Sequence, residues 1–417
     1  MNSPEFEAGE DRPAGLPTVF EPAPKRADFH HSRSADIGRK ATQLEFVVKL
    51  LKYCNLRCSY CYEFEDLHKK DRMNLGQIQE MFRHISTHAA EHNVDAVKFI
   101  WHGGEPFLFK PRFFREIAAA QAAIFNTSVA VSNTVQTNLT VLTEDMLSFL
   151  QETKFFSGLG ISFDPYGSQR VDTRGRSRVE TVTKNMQILI DRRIPFGAIT
   201  VVARDTLHSV IETFKFFDAL NMSHRFLPYY RSANPEQMQA HSLTYDEILL
   251  SYICLVDSWL VSTNAPGCYP IVEYIIYAQR SIAGAAAEYF DYGQHECVFI
   301  VDVDGGAWGV MGDYKSEAKY GNLFEKDFSD LLAGENRARQ KAEIDLRVTS
   351  HCGSCGYYGA CPGKYVAHAT TAERELIDTR GCIVKEVISH ILLRCEETGM
   401  TLAFAGADRF AAANLAV

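Results

Sequence analysis

Seven of the chain's eleven cysteines fall into two tight groups, Cys54/Cys58/Cys61 and Cys352/Cys355/Cys361/Cys382. Clustered thiolates are soft ligands suited to zinc and to iron–sulfur centres. The first group, Cys54-Asn-Leu-Arg-Cys58-Ser-Tyr-Cys61, sets three thiols within eight residues, so a single loop can wrap one centre. Three ligands are one short of a closed zinc site, whereas a cubane with one unligated iron keeps a position for a cofactor or substrate. The plainer readings are a zinc loop with a distant fourth ligand, or buried free thiols. The strand-then-loop setting weighs against both. The second group, Cys352-Gly-Ser-Cys355, then Cys361 and Cys382, supplies four thiols, the number that closes a site. Its spacing suits tetrahedral zinc and a fully ligated [4Fe–4S] cluster equally. Cys254, Cys268 and Cys395 are scattered and read as buried free thiols.

These groups need elements to hold them. From Leu44, short β-branched or aromatic runs alternate with amphipathic stretches: Phe46–Leu51 then Leu75–His92, Val97–Trp101 then Arg112–Phe125, and Val129–Gln136 then Glu144–Glu152. The pattern continues with Gly158–Phe163 then Val179–Arg192, Phe196–Val202 then Leu207–Leu220, and finally Arg225–Tyr229. Six strands separated by helix-length segments predict parallel pairing with right-handed crossovers, an α/β fold built as a partial (β/α)6 barrel. Such barrels carry their chemistry at the C-terminal ends of the strands, and the first cysteine group follows the first strand. Other strand ends present His102-Gly103-Gly104-Glu105-Pro106, Gln136-Thr137-Asn138 and Ser162-Phe163-Asp164, with Asp172-Thr173-Arg174 beyond. Paired glycines let backbone approach a ligand closely; ordinary turns and caps are the bland reading of each motif alone. A helix near Tyr245–Val261 leads to a region of different texture, and a last helix is expected from Ile383 to Glu397.

Composition excludes other classes. The formal charge of −9 over 417 residues opposes binding to phosphate backbones, and no run of about 18 apolar residues is present to span a bilayer. No signal peptide opens the sequence, so the expectation is a reducing, cytoplasmic setting in which clustered cysteines hold metal.

The pattern Cys, three residues, Cys, one residue, aromatic, Cys resembles the signature of the radical S-adenosylmethionine (SAM) superfamily, with Tyr60 at the aromatic position. The resemblance implies a [4Fe–4S] cluster on Cys54, Cys58 and Cys61 whose open iron chelates SAM and whose electron generates a 5′-deoxyadenosyl radical. It implies that Tyr60 packs beside the adenine and that Gly103, Gly104 and Glu105 serve the methionyl amine. It further implies that Gln136, Asn138 and Ser162 line the cofactor site, with Arg174 on its carboxylate. The four later cysteines resemble the ligands of one auxiliary cluster of the SPASM extension. The second auxiliary cluster of that extension is not expected, because Met311 and Lys364-Tyr365 stand where its thiols belong and only Cys297 matches.

The implied organisation is a leader or strap at 1–43, the radical SAM barrel at 44–232, a helical bridging region at 233–296, the SPASM-like region at 297–395 and a tail at 396–417. The plan is shared with anaerobic sulfatase-maturating enzymes, which have the complete extension. Asp304-Gly305, Asp313-Tyr314-Lys315, Tyr320-Gly321-Asn322-Leu323 and Cys361-Pro-Gly-Lys-Tyr365-Val-Ala-His368 look more like maturases that form cyclophanes in ribosomal peptides. That resemblance implies a precursor peptide substrate, an external one-electron donor such as flavodoxin or ferredoxin, and Asp313 as a base. Formylglycine formation, thioether formation and epimerisation remain open, as does a zinc-stabilised peptide-binding scaffold without activity.

Overall fold

The computed structural model describes residues 43–399, apart from 126, 230–233, 265–266, 285–286, 291–296 and 310–315. Residues 1–42 of the leader, 400–417 of the tail, Met311 and Asp313 therefore lie outside the described residues, while residues 396–398 continue the last helix.

Strand β1 (Gln43–Lys49) is followed by α1 (Leu75–Glu91), β2 (Ala96–His102), α2 (Pro111–Ile124), β3 (Ala130–Thr137), α3 (Glu144–Thr153), β4 (Gly158–Ser162), α4 (Val179–Asp191), β5 (Phe196–Val202), α5 (Val210–Ala219) and β6 (His224–Pro228). All neighbouring pairs from β1 to β6 are parallel. Local chemistry sets the helix starts: Asn74 and Gln77 form a reciprocal capping box on α1, and Thr143 caps α3. Side chains on alternating strand positions face opposite ways. On β1, Phe46 and Val48 are fully buried among the helices, while Glu45, Val47 and Lys49 take the other face.

The sheet is larger than the six expected strands. After α6 (Pro235–His241) and α7 (Tyr245–Leu260), a short β7 (Cys268–Tyr269) joins β6, and α8 (Ile271–Ala283) follows. Then β8 (Val298–Val301) pairs in parallel with the free edge of β1, and β9 (Gly306–Gly309) and β10 (Gly321–Asn322) add antiparallel, giving ten strands in the order β10-β9-β8-β1-β2-β3-β4-β5-β6-β7. Regions 233–296 and 297–395 thus each contribute strands to one sheet, because an exposed parallel edge leaves backbone donors and acceptors that pairing satisfies. Among the described residues the remaining α-helices are α9 (Phe328–Leu332), α10 (Glu335–Cys352), α11 (Lys364–Ala367), α12 (Thr371–Arg380) and α13 (Ile383–Thr398). A second apolar core joins α5, α7, α8 and α13 through Phe214, Leu255, Val256, Ile275, Val387 and Ile391. Among the described residues no helix is long and apolar enough to cross a membrane.

Candidate functional site

Cys54, Cys58 and Cys61 occupy the loop that leaves β1, at the end of the sheet where the parallel strands finish. The three thiols form one small cluster with Leu56, Tyr60, Leu67, Ala203 and Tyr229. Burial pushes the Cys54 and Cys61 thiols up to about 12, and raises Cys58. As metal ligands these thiols would be deprotonated, their charge balanced by the metal. Among the described residues, no three His, Cys, Asp or Glu side chains converge on a point suited to a single ion.

The Gly-Gly-Glu loop lies directly against this segment. Gly104 N–H donates to the Leu51 carbonyl at 2.7 Å and Glu105 N–H to the Tyr53 carbonyl at 3.1 Å. Gly103 holds φ at +110°, and a Cβ there would come 2.5 Å from the Leu51 carbonyl oxygen; one on Gly104 would overlap the Tyr53 carbonyl. Only glycine fits this contact. Glu105 is wholly buried and spends both oxygens on protein donors: Oε1 accepts from Phe107 N–H at 2.8 Å and the Thr137 hydroxyl at 2.7 Å, Oε2 from Asn138 N–H at 2.7 Å. Burial pushes its carboxyl up to about 7 against these hydrogen bonds. With both oxygens so engaged, Glu105 braces the loop.

Gln136 and Ser162 meet across the inner face, with the Gln136 amide donating to Ser162 Oγ at 2.8 Å, and Gly160 leaves room for the Gln136 side chain. Gln136 Oε1, Tyr229 Oη, His241 Nδ1 and Glu63 Oε2 are buried polar atoms without a hydrogen-bond partner. Lys49 is ion-paired with Glu63 beside it.

Tyr60 donates its hydroxyl to Asp164, whose other oxygen accepts from Val201 N–H at 2.9 Å. Arg170 closes the group, 2.9 Å from Asp164 and 5.8 Å from the centre of the Tyr60 ring, with side chains of Arg170 and Asp164 5% and 1% exposed. Arg174 is exposed, on a turn where Asp172 binds backbone and the guanidinium groups of Arg176 and Arg178. The two arginines thus differ in setting: Arg174 lies on an exposed turn, and Arg170 is buried against Asp164. Helix α6 supplies residues that no motif announced. Gln237 donates to the Ser59 carbonyl at 2.6 Å and the Cys61 carbonyl at 3.2 Å, and His241 Nε2 stands 2.9 Å from Ser59 Oγ.

The second thiol group lines a pocket of its own. Cys352 ends α10, Cys355 and Cys361 lie in the following loop, and Cys382 precedes α13; all four face one pocket with Tyr357, Tyr358 and Tyr365 around them. Gly363, at φ +83°, lets backbone pass Cys352: a Cβ there would sit 3.1 Å from its sulfur. Burial pushes Cys352 up to about 12 and Cys361 to about 11, and four convergent thiols are a donor set that fits a metal centre.

The family model described as Radical SAM superfamily matches residues 48–217. A cysteine-type anaerobic sulfatase-maturating enzyme of Clostridium novyi (strain NT) is 23% identical over 74% of this chain and 83% of its own length. Native anSMEcpe with bound AdoMet and Cp18Cys peptide superposes with a TM-score of 0.66 at 18% identity, covering 85% of this chain and 97% of that one. SuiB of Streptococcus suis bound to S-adenosylmethionine gives 0.52 at 16% identity, over 82% and 75%, and SuiB bound to precursor peptide SuiA gives 0.50 at 15%, over 82% and 74%. The strand-end cysteine loop therefore sits in a radical SAM domain, and the chain is an enzyme that binds S-adenosylmethionine and [4Fe–4S] clusters and is homologous to the anaerobic sulfatase-maturating enzymes.

Proposed function

We propose that this enzyme matures a ribosomally made precursor peptide by a radical carbon–carbon crosslink of the cyclophane type. The observation that carries the reading is the pairing, in one chain, of a three-thiol loop at the barrel mouth with a separate four-thiol pocket. Bound at Cys54, Cys58 and Cys61, the first cluster and S-adenosylmethionine supply a 5′-deoxyadenosyl radical that removes one hydrogen atom from a peptide side chain. Gly103 and Gly104 offer backbone to the cofactor's amine, Gln136 and Ser162 face its ribose, and Arg174 takes its carboxylate. Cys352, Cys355, Cys361 and Cys382 hold one auxiliary cluster. Crosslinking removes a second hydrogen as a proton and an electron, and the four-thiol pocket holds the acceptor for that electron. Asp313 stays our candidate for the proton. A flavodoxin or ferredoxin supplies the initiating electron in the cytoplasm.

Formylglycine formation is the second reading, favoured by the homology to a cysteine-type sulfatase-maturating enzyme. The sequence departs from that plan at Met311 and Lys364-Tyr365, which leaves too few thiols for a second auxiliary cluster. The scaffold without activity falls with the assignment of a radical SAM enzyme. Anaerobic reconstitution gives about eight iron per chain and 5′-deoxyadenosine if both clusters form. Co-expression with a short peptide encoded beside the gene then separates the chemistries. Loss of two hydrogens within one aromatic-containing tripeptide supports the crosslink; a hydrazide-reactive aldehyde at Cys or Ser overturns it for formylglycine.

A further inference from the structure

Asn138 reaches the sulfur of Cys54. Its Nδ2 donates to Cys54 Sγ at 3.5 Å, beside the Leu56 N–H at 3.4 Å. The amide orientation follows from its surroundings. Oδ1 accepts from the Thr140 N–H at 2.9 Å and from the Thr140 hydroxyl at 2.6 Å, and a backbone N–H can only donate. The nitrogen must then face the sulfur, and its second hydrogen goes to Asn55 Oδ1 at 3.0 Å. The residue is fixed from behind as well: its own N–H is held by Glu105 Oε2 at 2.7 Å, and it is 6% exposed. Four hydrogen bonds to three residues thus aim one neutral donor at one thiolate ligand from a strand end 84 residues away.

We infer that Asn138 is a positioning residue that polarises Cys54 and raises the reduction potential of the first cluster, an inference that rests on the reading of Cys54 as a ligand. A donor to a ligating sulfur withdraws electron density from it, and that bond strengthens when the cluster gains negative charge on reduction. The contact therefore favours the reduced state, from which S-adenosylmethionine is cleaved. Bracing of the loop by Glu105 acquires a purpose beyond shape, since Glu105 sets the backbone of the residue that touches the sulfur.

The test is an anaerobic redox titration of the reconstituted full chain, followed by electron paramagnetic resonance on the signal that responds to S-adenosylmethionine. Asn138→Leu, at matched iron content, is expected to make reduction about tenfold less favourable, about 59 mV for one electron. Asn138→Asp keeps an oxygen for Thr140 and turns a carboxylate oxygen toward the sulfur, so it shifts the potential further in the same direction; it carries the test if the Leu variant does not load. Asn55→Ala removes one of the contacts that hold the amide but keeps the donor, and is expected to shift the midpoint less than Asn138→Leu. An unshifted midpoint in both loaded Asn138 variants overturns the inference and leaves the function standing. Failure of the wild type to assemble a cluster on Cys54 overturns both.

Discussion

Replacing Asp164 by Leu removes the counter-charge of a cation that has almost no water. Asp164 and Arg170 are 2.9 Å apart at 1% and 5% exposure, and the same carboxylate receives the Tyr60 hydroxyl and the Val201 N–H. Breaking one side of a buried pair costs about 3–5 kcal/mol, because the survivor keeps its desolvation penalty. Each hydrogen-bond donor left dry adds about 1–3 kcal/mol where the site cannot relax, so Asp164→Leu is expected near the top of the first range. Arg170→Met costs less, since Asp164 keeps two donors. The double variant has no buried charge and is expected to be more stable than Asp164→Leu alone, a coupling of at least about 2 kcal/mol. Urea unfolding of the reduced, metal-free chain measures all four proteins, with a common slope required for the comparison. A loss below about 1 kcal/mol for Asp164→Leu, or single losses that simply add, would refute the claim that this pair is a desolvated clamp on the cysteine loop.

Other outcomes follow from separate parts of the structure. Cys352→Ala removes one wall of the four-thiol pocket and is expected to lower iron from about eight to about four per chain while the SAM-responsive signal persists; unchanged iron would place the second cluster elsewhere. Gly104→Ala drives a methyl group into the Tyr53 carbonyl, and calorimetry should show S-adenosylmethionine affinity reduced at least about tenfold, or about 1.4 kcal/mol. His88 packs under α9, with Nδ1 2.8 Å from Ser329 Oγ, and burial, then His92 and Arg337, pushes it down to about 4. The unfolded chain therefore binds more protons between about pH 6.5 and 4, so its contribution to stability is present above that window and lost as pH falls through it. Acid titration of urea midpoints should find His88→Gln losing less stability across that window than the wild type; parallel curves would exclude the assignment.

Much of the site was legible because ligand spacing is local. Three thiols within eight residues of one loop need only chain geometry to surround a centre, and the alternation of Phe46, Val48 and their partners marks a strand with one face among helices. Gly103 and Gly104 likewise stood out, since their positions admit no side chain. The C-terminal strands were less readable: β7 and β10 are two residues each, too short for a period, and they exist because an open sheet edge accepts them. What only the tertiary structure decided are contacts between distant segments: Tyr60 with Asp164 across 104 residues, and Gln237 with the Ser59 carbonyl across 178. Asp172-Thr173-Arg174 and Arg170 are nearly adjacent in sequence, yet one arginine is in water and the other beneath Tyr60. Residue type sets what a side chain can do; which arginine is desolvated depends on the fold packed over it, and no local pattern encodes that.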